Sequence, residues 1–487
     1  MEEAVGLGRV AVVDRGEGAR RVLRAVHELT RAGQAGVAVA VHGARDRLAR
    51  FVREADEAVE LDGSPEEVLR AARADSAWLG PGPLAERAAF AAACSRLGIV
   101  HAGPPADALQ RLCAPDGLAQ LASQLGVPLA LPGLADPRAH LVEVVVARDV
   151  RGTASALGVG DASLRRGDVA VLVESPSPAL TPANDGVARD LGVRACTMAG
   201  WTGVCSVQLL VDPSTRKWAL LGLDAFAQSG PAVEALAGVD LVRLALRLAV
   251  GKPLELEHAA TRGHAFAARL LAADPAAPTT TSFGRVEMLR LPSGLGVRAD
   301  AAVAEGDEPP AGADGVLATL VARGASSAEA LARLEQALSD ADVLLRASGS
   351  SKAWLLGLCA RREVRQGEAG VGFLAALESA GEKLVEPRRE AALIAAAIQA
   401  YHAQLDLERV RFVAEARRGR PRVGPSSGRA VELRYAGHRY RIEVRQIGPD
   451  EYRVVPAGGA PVDARLVRVG RYERHLSWQG RRHRILS

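Results

Sequence analysis

The spacing of apolar and polar positions changes several times along the chain, and each change marks an element. Residues 9–13, RVAVV, form a short apolar strand, and DRGEGARRVLRAVHEL then turns through two glycines into a helix with Val22, Val26 and Leu29 on one face. A second apolar strand, VAVAV (residues 37–41), and a third near SAWLGP (residues 76–81) are separated by helical stretches such as SPEEVLRAARA. This alternation predicts a parallel sheet covered by helices, a doubly wound α/β opening domain. The end of the chain has another rhythm. In AVELRYAGHRYRIEVRQIGPDEYRVV the arginines alternate with Leu433, Tyr435, Tyr440, Ile442 and Val444, the period of two of half-buried strands. Before it come an Ala- and Leu-rich helix, EPRREAALIAAAIQAYHAQL (residues 386–405), and a turn-rich linker, ARRGRPRVGPSSGR.

Composition changes this picture in three places. A chain of 487 residues that is 48% hydrophobic exceeds what one core usually organises, so several domains are predicted. The N-terminus carries acids where a signal peptide needs basic residues, and no uncharged apolar run reaches the roughly 18 residues of a membrane span, which predicts a cytoplasmic location and no membrane partner. The five cysteines include no C-x-x-C pair, so neither a disulfide framework nor a zinc site is expected, and no metal ligands are assigned.

Charge is uneven. Residues 411–487 hold 18 Arg against 7 Asp plus Glu, a net of +11, which leaves the first 410 residues at −7. Phosphate neutralisation would suit such a tail. Its period of two instead places the arginines on the solvated face of a small antiparallel barrel, and nucleic acid is not the expected partner. Two further patterns are set aside. GPSSG (residues 424–428) satisfies G-x-S-x-G but enters a strand from a linker, where a nucleophile elbow needs a strand-to-helix turn. His258 and His264 are six apart, a spacing that does not make a zinc pair on one helical face.

The opening motifs resemble biotin carboxylases in order and spacing. The family's NRGEIA turn appears as Asp14-Arg15-Gly16-Glu17-Gly18, its ADEAV element as Ala55–Val59, and its GPP as Gly103-Pro104-Pro105. ESPSPALT (174–181), GVDLVRLALRLAVGKPL (238–254), RGHAFAARLLAADP (262–275), GLGVRAD (294–300) and AEALARLEQAL (328–338) follow in family order. The resemblance implies a Rossmann-like N-terminal domain (1–112), a truncated ATP-grasp body (113–255), an α+β C-terminal domain (256–375), and a helix plus small antiparallel β-barrel (386–487).

What the resemblance implies for chemistry is loss. In the family a lid carrying a Gly-rich loop and a Lys separates GVPV from the RHIEVQ strand by sixty or so residues. Here Gly126-Val127-Pro128 leads almost at once into ALPGLADPRAHLVEVVVARD. The Lys preceding GVPV falls near Pro115, and the His and Lys of RRHQK fall on Asp168 and Ala170. The two metal-binding Glu positions read Gln208 and Gly222, the Asn position Asp224, and the Arg and Glu that handle bicarbonate Phe226 and Gly230. Glu174 and Arg298 are the retained candidates, the latter matching the Arg that steadies the biotin enolate. ATP, magnesium and biotin binding are accordingly expected to be lost.

The closing helix and barrel resemble the module by which acyl-CoA carboxylase α subunits dock the carboxyltransferase. No biotinyl AMKM motif follows. The implied role is a non-catalytic, oligomeric subunit that scaffolds or regulates an acyl-CoA carboxylase with carboxyltransferase, true biotin carboxylase or biotin carrier partners. The alternative is an active ATP-dependent biotin carboxylase completed by a partner.

Overall fold

The computed structural model describes residues 6–487 apart from 35, 131–135, 256–261, 275–276, 282–283, 310–314, 347, 381–388, 418, 420–427, 436–437 and 457. His258 and most of GPSSG lie outside the described residues. Two compact units are formed, one by residues 1–273 and 279–384, the other by 274–278 and 385–487.

In the first unit, five short parallel strands run β1 (Val10–Val13), β2 (Ala38–His42), β3 (Glu57–Glu60), β4 (Ser76–Leu79) and β5 (Val100–His101), in sheet order β3-β2-β1-β4-β5. The first helix, Gly16–Arg31, buries the predicted face, with Val22 and Val26 at 0% exposure and Leu29 at 1%. Reversal of strand order between β1 and β4 opens a crevice outside the strand ends, where doubly wound folds bind ligands.

A long antiparallel sheet forms the body. Along it lie β10 (Trp218–Asp224), β9 (Gly203–Val211), β6 (His140–Arg148), β7 (Ala154–Arg166), β8 (Val169–Ser175), β11 (His264–Asp274) and then the strands Val316–Gly324 and Val297–Ala301. The expected ATP-grasp body and C-terminal domain therefore share one continuous sheet. One face is covered by the helix Gly230–Ala237, whose Ala232 and Leu236 pack on Leu141, Ala170, Ala267 and Val321, while the helix Gly16–Arg31 reaches the strand Val316–Gly324.

In the second unit the helix extends to Arg389–Ala416, beyond the expected 405. Six strands follow as an antiparallel meander from Arg429–Tyr435 to Arg481–Leu486, each pairing with the next. The helix touches all six, so the sheet curls around it, and Ile394, Ile398 and Tyr401 fill the space between the inward residues Val444, Tyr452, Val454 and Leu476. The alternation read from sequence holds, since Ile442 and Val444 are buried while Arg441 and Arg445 are exposed. The helix takes the place of the interior that a closed barrel would fill with its own side chains. Among the described residues no helix is long and apolar enough to cross a membrane.

Ile398 is fully buried in this helix-centred core. Ile398→Ala should cost about 2–5 kcal/mol through lost burial and a residual cavity, read as a lowered denaturant midpoint for the tail. A change within about 0.5 kcal/mol would mean that the helix does not hold the sheet.

Candidate active-site cleft

A cleft of about 900 Å³ opens between the ends of the parallel strands and the long sheet, lined by Asp14–Gly18, Gly43–Asp46, Gly80, Phe226–Gln228 and Arg269. Asp14, directly after β1, is buried. It accepts from the Arg15 N–H at 2.6 Å and the Trp78 indole N–H at 3.2 Å, and a Cβ on Gly80 would stand 2.3 Å from its Oδ1, so only glycine fits there. Burial pushes the Asp14 carboxyl up to about 6, against those two hydrogen bonds. Arg15 pairs with Asp46 at 2.6 Å.

Strand register decides which candidates meet. Glu143 on β6 stands opposite Gln208 on β9, and Gln208 stands opposite Gly222 on β10. The two positions that the resemblance aligned with metal-binding glutamates are thus ladder partners. Glu143 is fully buried: the Ser229 N–H and Oγ donate to it at 2.7 and 2.8 Å, and Gln208 Nε2 donates at 3.4 Å. Burial raises its pKa, opposed by the bonds from Ser229. Gly160 makes this possible, because a Cβ there would come within 2.4 Å of Ser229 Cβ. Asp224, one row along the same face, accepts from Arg87 at 2.7 Å and from the Phe226 N–H at 3.1 Å. Phe226 lies edge-on to Trp78, with ring centroids 5.9 Å apart, and under the Arg87 guanidinium, so it walls the cleft without filling it.

Ala170 is fully buried, with Arg165 directly across the ladder. Asp168 lies exposed at the β7–β8 turn, outside the cleft lining. The retained pair is divided. Arg298 faces the cleft side and pairs with Glu234 at 2.8 Å and with Asp300 at 3.0 Å. Glu174 points to the opposite face, where it accepts from Ser327 Oγ at 2.6 Å and lies 3.6 Å from His264. Sequence reasoning missed Glu143, Arg21, Glu234 and Arg269. Arg21 also pairs with Glu234, and Thr319 Oγ1 donates to Glu17 at 2.5 Å. Periodicity gives no sign of Glu143, Glu234 and Arg269 because each sits within a largely apolar element, and Arg21 is one of several charges on the first helix.

Three family models match in succession: "Biotin carboxylase, N-terminal domain" over residues 6–109, "Carbamoyl-phosphate synthase L chain, ATP binding domain" over 134–257, and "Biotin carboxylase C-terminal domain" over 267–376. The chain belongs to the biotin carboxylase family. It is 29% identical to the biotin carboxylase of Haemophilus influenzae over 69% of this chain and 91% of that one. To the mitochondrial methylcrotonoyl-CoA carboxylase subunit alpha of mouse it is 27% identical, over 70% of this chain and 59% of that subunit. The biotin carboxylase domain of Hydrogenobacter thermophilus 2-oxoglutarate carboxylase shares the fold, with a TM-score of 0.70 and 20% identity over 78% of this chain and all of that one. Against full-length carboxylases such as a pyruvate carboxylase of Rhizobium etli, the chain spans about two fifths of the length.

These matches correct one expectation. Loss of ATP, magnesium and biotin binding was inferred from the short lid connection and altered side chains, yet residues 134–257 match an ATP binding domain. The Hydrogenobacter domain carries MgADP, ADP and bicarbonate on the same fold. The expectation weighed single side chains, whereas the match extends over the whole segment, whose strand register is intact.

A Cβ on Gly222 would meet only Gln208 Oε1, at 3.8 Å, so a side chain fits. The double substitution Gln208→Glu, Gly222→Glu should restore a facing carboxylate pair and make ATP affinity roughly tenfold more magnesium-dependent, read by calorimetry with and without the metal. Identical affinities in both proteins would refute it. Because the folded Asp14 pKa lies above its ordinary value, its contribution to stability is full below about pH 4 and is lost as pH rises through about 6. That amounts to about 2–3 kcal/mol at pH 8. Asp14→Asn should therefore lose less melting temperature than the native chain between pH 5 and pH 8, and equal losses would remove the argument.

Proposed function

We propose that this chain is a nucleotide-binding, non-catalytic subunit of a biotin-dependent acyl-CoA carboxylase, and that it scaffolds or regulates the complex. The supporting observation is the β6–β9–β10 row Glu143, Gln208, Gly222, with Phe226 and Gly230 at the bicarbonate-handling positions. Phosphoryl transfer needs metal-bound charge and cations around the transferred group. In this row one carboxylate is already saturated by Ser229, one position is an amide, and one has no side chain. Magnesium commonly takes one or two carboxylates together with substrate phosphates, so Asp224 and the Gln208 carbonyl are the donors a magnesium nucleotide would use. Bound in that way it neutralises phosphate charge. The groups that would activate bicarbonate are what the chain lacks.

The connection from Leu125 to His140 spans fourteen residues, too few for the lid subdomain expected from the family. A nucleotide on this floor stays open to water, which favours exchange over sequestered chemistry. The tail, outside the three matching regions, is assigned as the docking module for a carboxyltransferase subunit, with a true biotin carboxylase or biotin carrier as further members. The exposed second half of its helix, with Leu407, Val410 and Val413, is where apolar contact would be made.

The purified chain should bind Mg-ATP by calorimetry yet show no ATP-dependent cleavage of bicarbonate in the presence of free biotin. Turnover by the chain alone would replace this reading with that of an active biotin carboxylase. In tagged pull-downs from its own cells it should bring down a carboxyltransferase or biotin carrier subunit, and recovery of neither would remove the scaffold role.

A further inference from the structure

A second cavity, of about 100 Å³, lies in the first unit and shares the wall residues Arg21, Leu79, Phe226 and Ala227 with the large cleft. Elsewhere its walls are chiefly apolar, with Trp78, Val204, Leu241, Val242 and Ala245 among them. A single water needs about 10–15 Å³ of such space, so there is room for a chain of several heavy atoms. Two guanidiniums, those of Arg21 and Arg87, line the cavity, and none of its described lining residues is a carboxylate.

Arg87 belongs to the helix Leu84–Leu97 and is 5% exposed. Its Nη1 donates to Asp224 at 2.7 Å, while its Nη2 is buried and meets no acceptor among the described residues. The guanidinium lies over the Phe226 ring, 5.3 Å from its centroid, and Trp78 packs edge-on against that ring. A buried charged donor without an acceptor is unfavourable, and an oxygen entering the cavity beside it would relieve that. Arg21 is already held by Glu234. His101 also lines the cavity, and burial, with Arg87 adding to it, pushes its imidazole down to about 4, which leaves the ring neutral at pH 7. A cation would meet two arginines and no lining carboxylate. A small inorganic anion would leave the apolar walls uncovered.

We propose that this cavity is a binding site for a short-chain carboxylate, held at its charged end by the Arg87 guanidinium and along its alkyl body by Leu241, Val242 and Ala245. It is a site apart from the nucleotide cleft, and it does not rest on the subunit reading.

Calorimetric titration of the full chain with butyrate, butanol and inorganic phosphate tests the assignment. Butyrate should bind the native protein with a Kd at or below about 1 mM, and roughly tenfold more tightly than butanol, which lacks the charge, or phosphate, which lacks the alkyl body. Ala245→Leu, which fills the apolar end and leaves both members of the Arg87–Asp224 pair unchanged, should weaken butyrate roughly tenfold, and Arg87→Gln should do the same. Saturating Mg-ATP should leave butyrate affinity within about twofold, because the two sites are distinct. Absence of butyrate binding, equal binding of butanol or phosphate, equal affinity in Ala245→Leu, or displacement of butyrate by Mg-ATP would each overturn the site. If the variants do not fold, crystals of the native chain grown with butyrate should show its carboxylate within hydrogen-bond reach of Arg87, and butyrate seated elsewhere also overturns it. Any of these failures leaves the subunit reading as it was.

Discussion

Glu234 is 3% exposed, carries a carboxylate, and lies between two arginines, Arg21 from the first helix and Arg298 from the strand Val297–Ala301. Burying a charge is unfavourable unless it is paired and hydrogen-bonded, and removing one partner of such a pair commonly costs 3–5 kcal/mol. The arrangement of the first unit follows from meeting that demand. The first helix must lie across the long sheet for Arg21 to reach Glu234, and the sheet must carry its edge strand so that Arg298 and Asp300 face the same helix. The Glu234 carboxylate also accepts the Leu241 N–H at 3.0 Å, which anchors the following helix, Leu241–Ala249. One buried carboxylate thereby ties together four elements that span the chain from Arg21 to Arg298.

The cleft is a by-product of that arrangement. The parallel strands end where the first helix begins, the long sheet rises beside them, and the space between is lined by charges of both signs. Asp14, Glu17 and Asp46 line it together with Arg15, Arg21 and Arg269, and two buried carboxylates, Glu143 on β6 and Glu234 in the helix Gly230–Ala237, belong to the same unit.

The family resemblance was legible in short motifs because they encode local geometry: the turn at Asp14–Gly18, the Gly-Pro-Pro following β5, and the edge-strand GVRAD. Of the positions singled out as altered, Gln208 and Gly222 meet as ladder partners, a pairing that spacing alone did not show. The step from altered side chains to lost ligands did not hold, since residues 134–257 match an ATP binding domain as a segment. The division of Glu174 from Arg298 could not be read from spacing, because it is set by register: Glu174 shares a row with Phe266, Ala322 and Val297, so Arg298, the next residue, takes the opposite face.

By itself the sequence determined the alternating α/β opening, the period-two tail, the buried face of the first helix and the family, all of which follow from local periodicity and turn chemistry. Tertiary structure alone decided that the middle and C-terminal regions share one sheet, that the tail's helix fills the interior of its own sheet, that Arg21 and Arg269 line one cleft, and that Glu234 lies between Arg21 and Arg298. The reason is that a charged residue within an apolar strand or helix carries no signal of its partner. Its pairing is set by strand register and by the cost of leaving it unpaired, and both exist only once distant segments have come together.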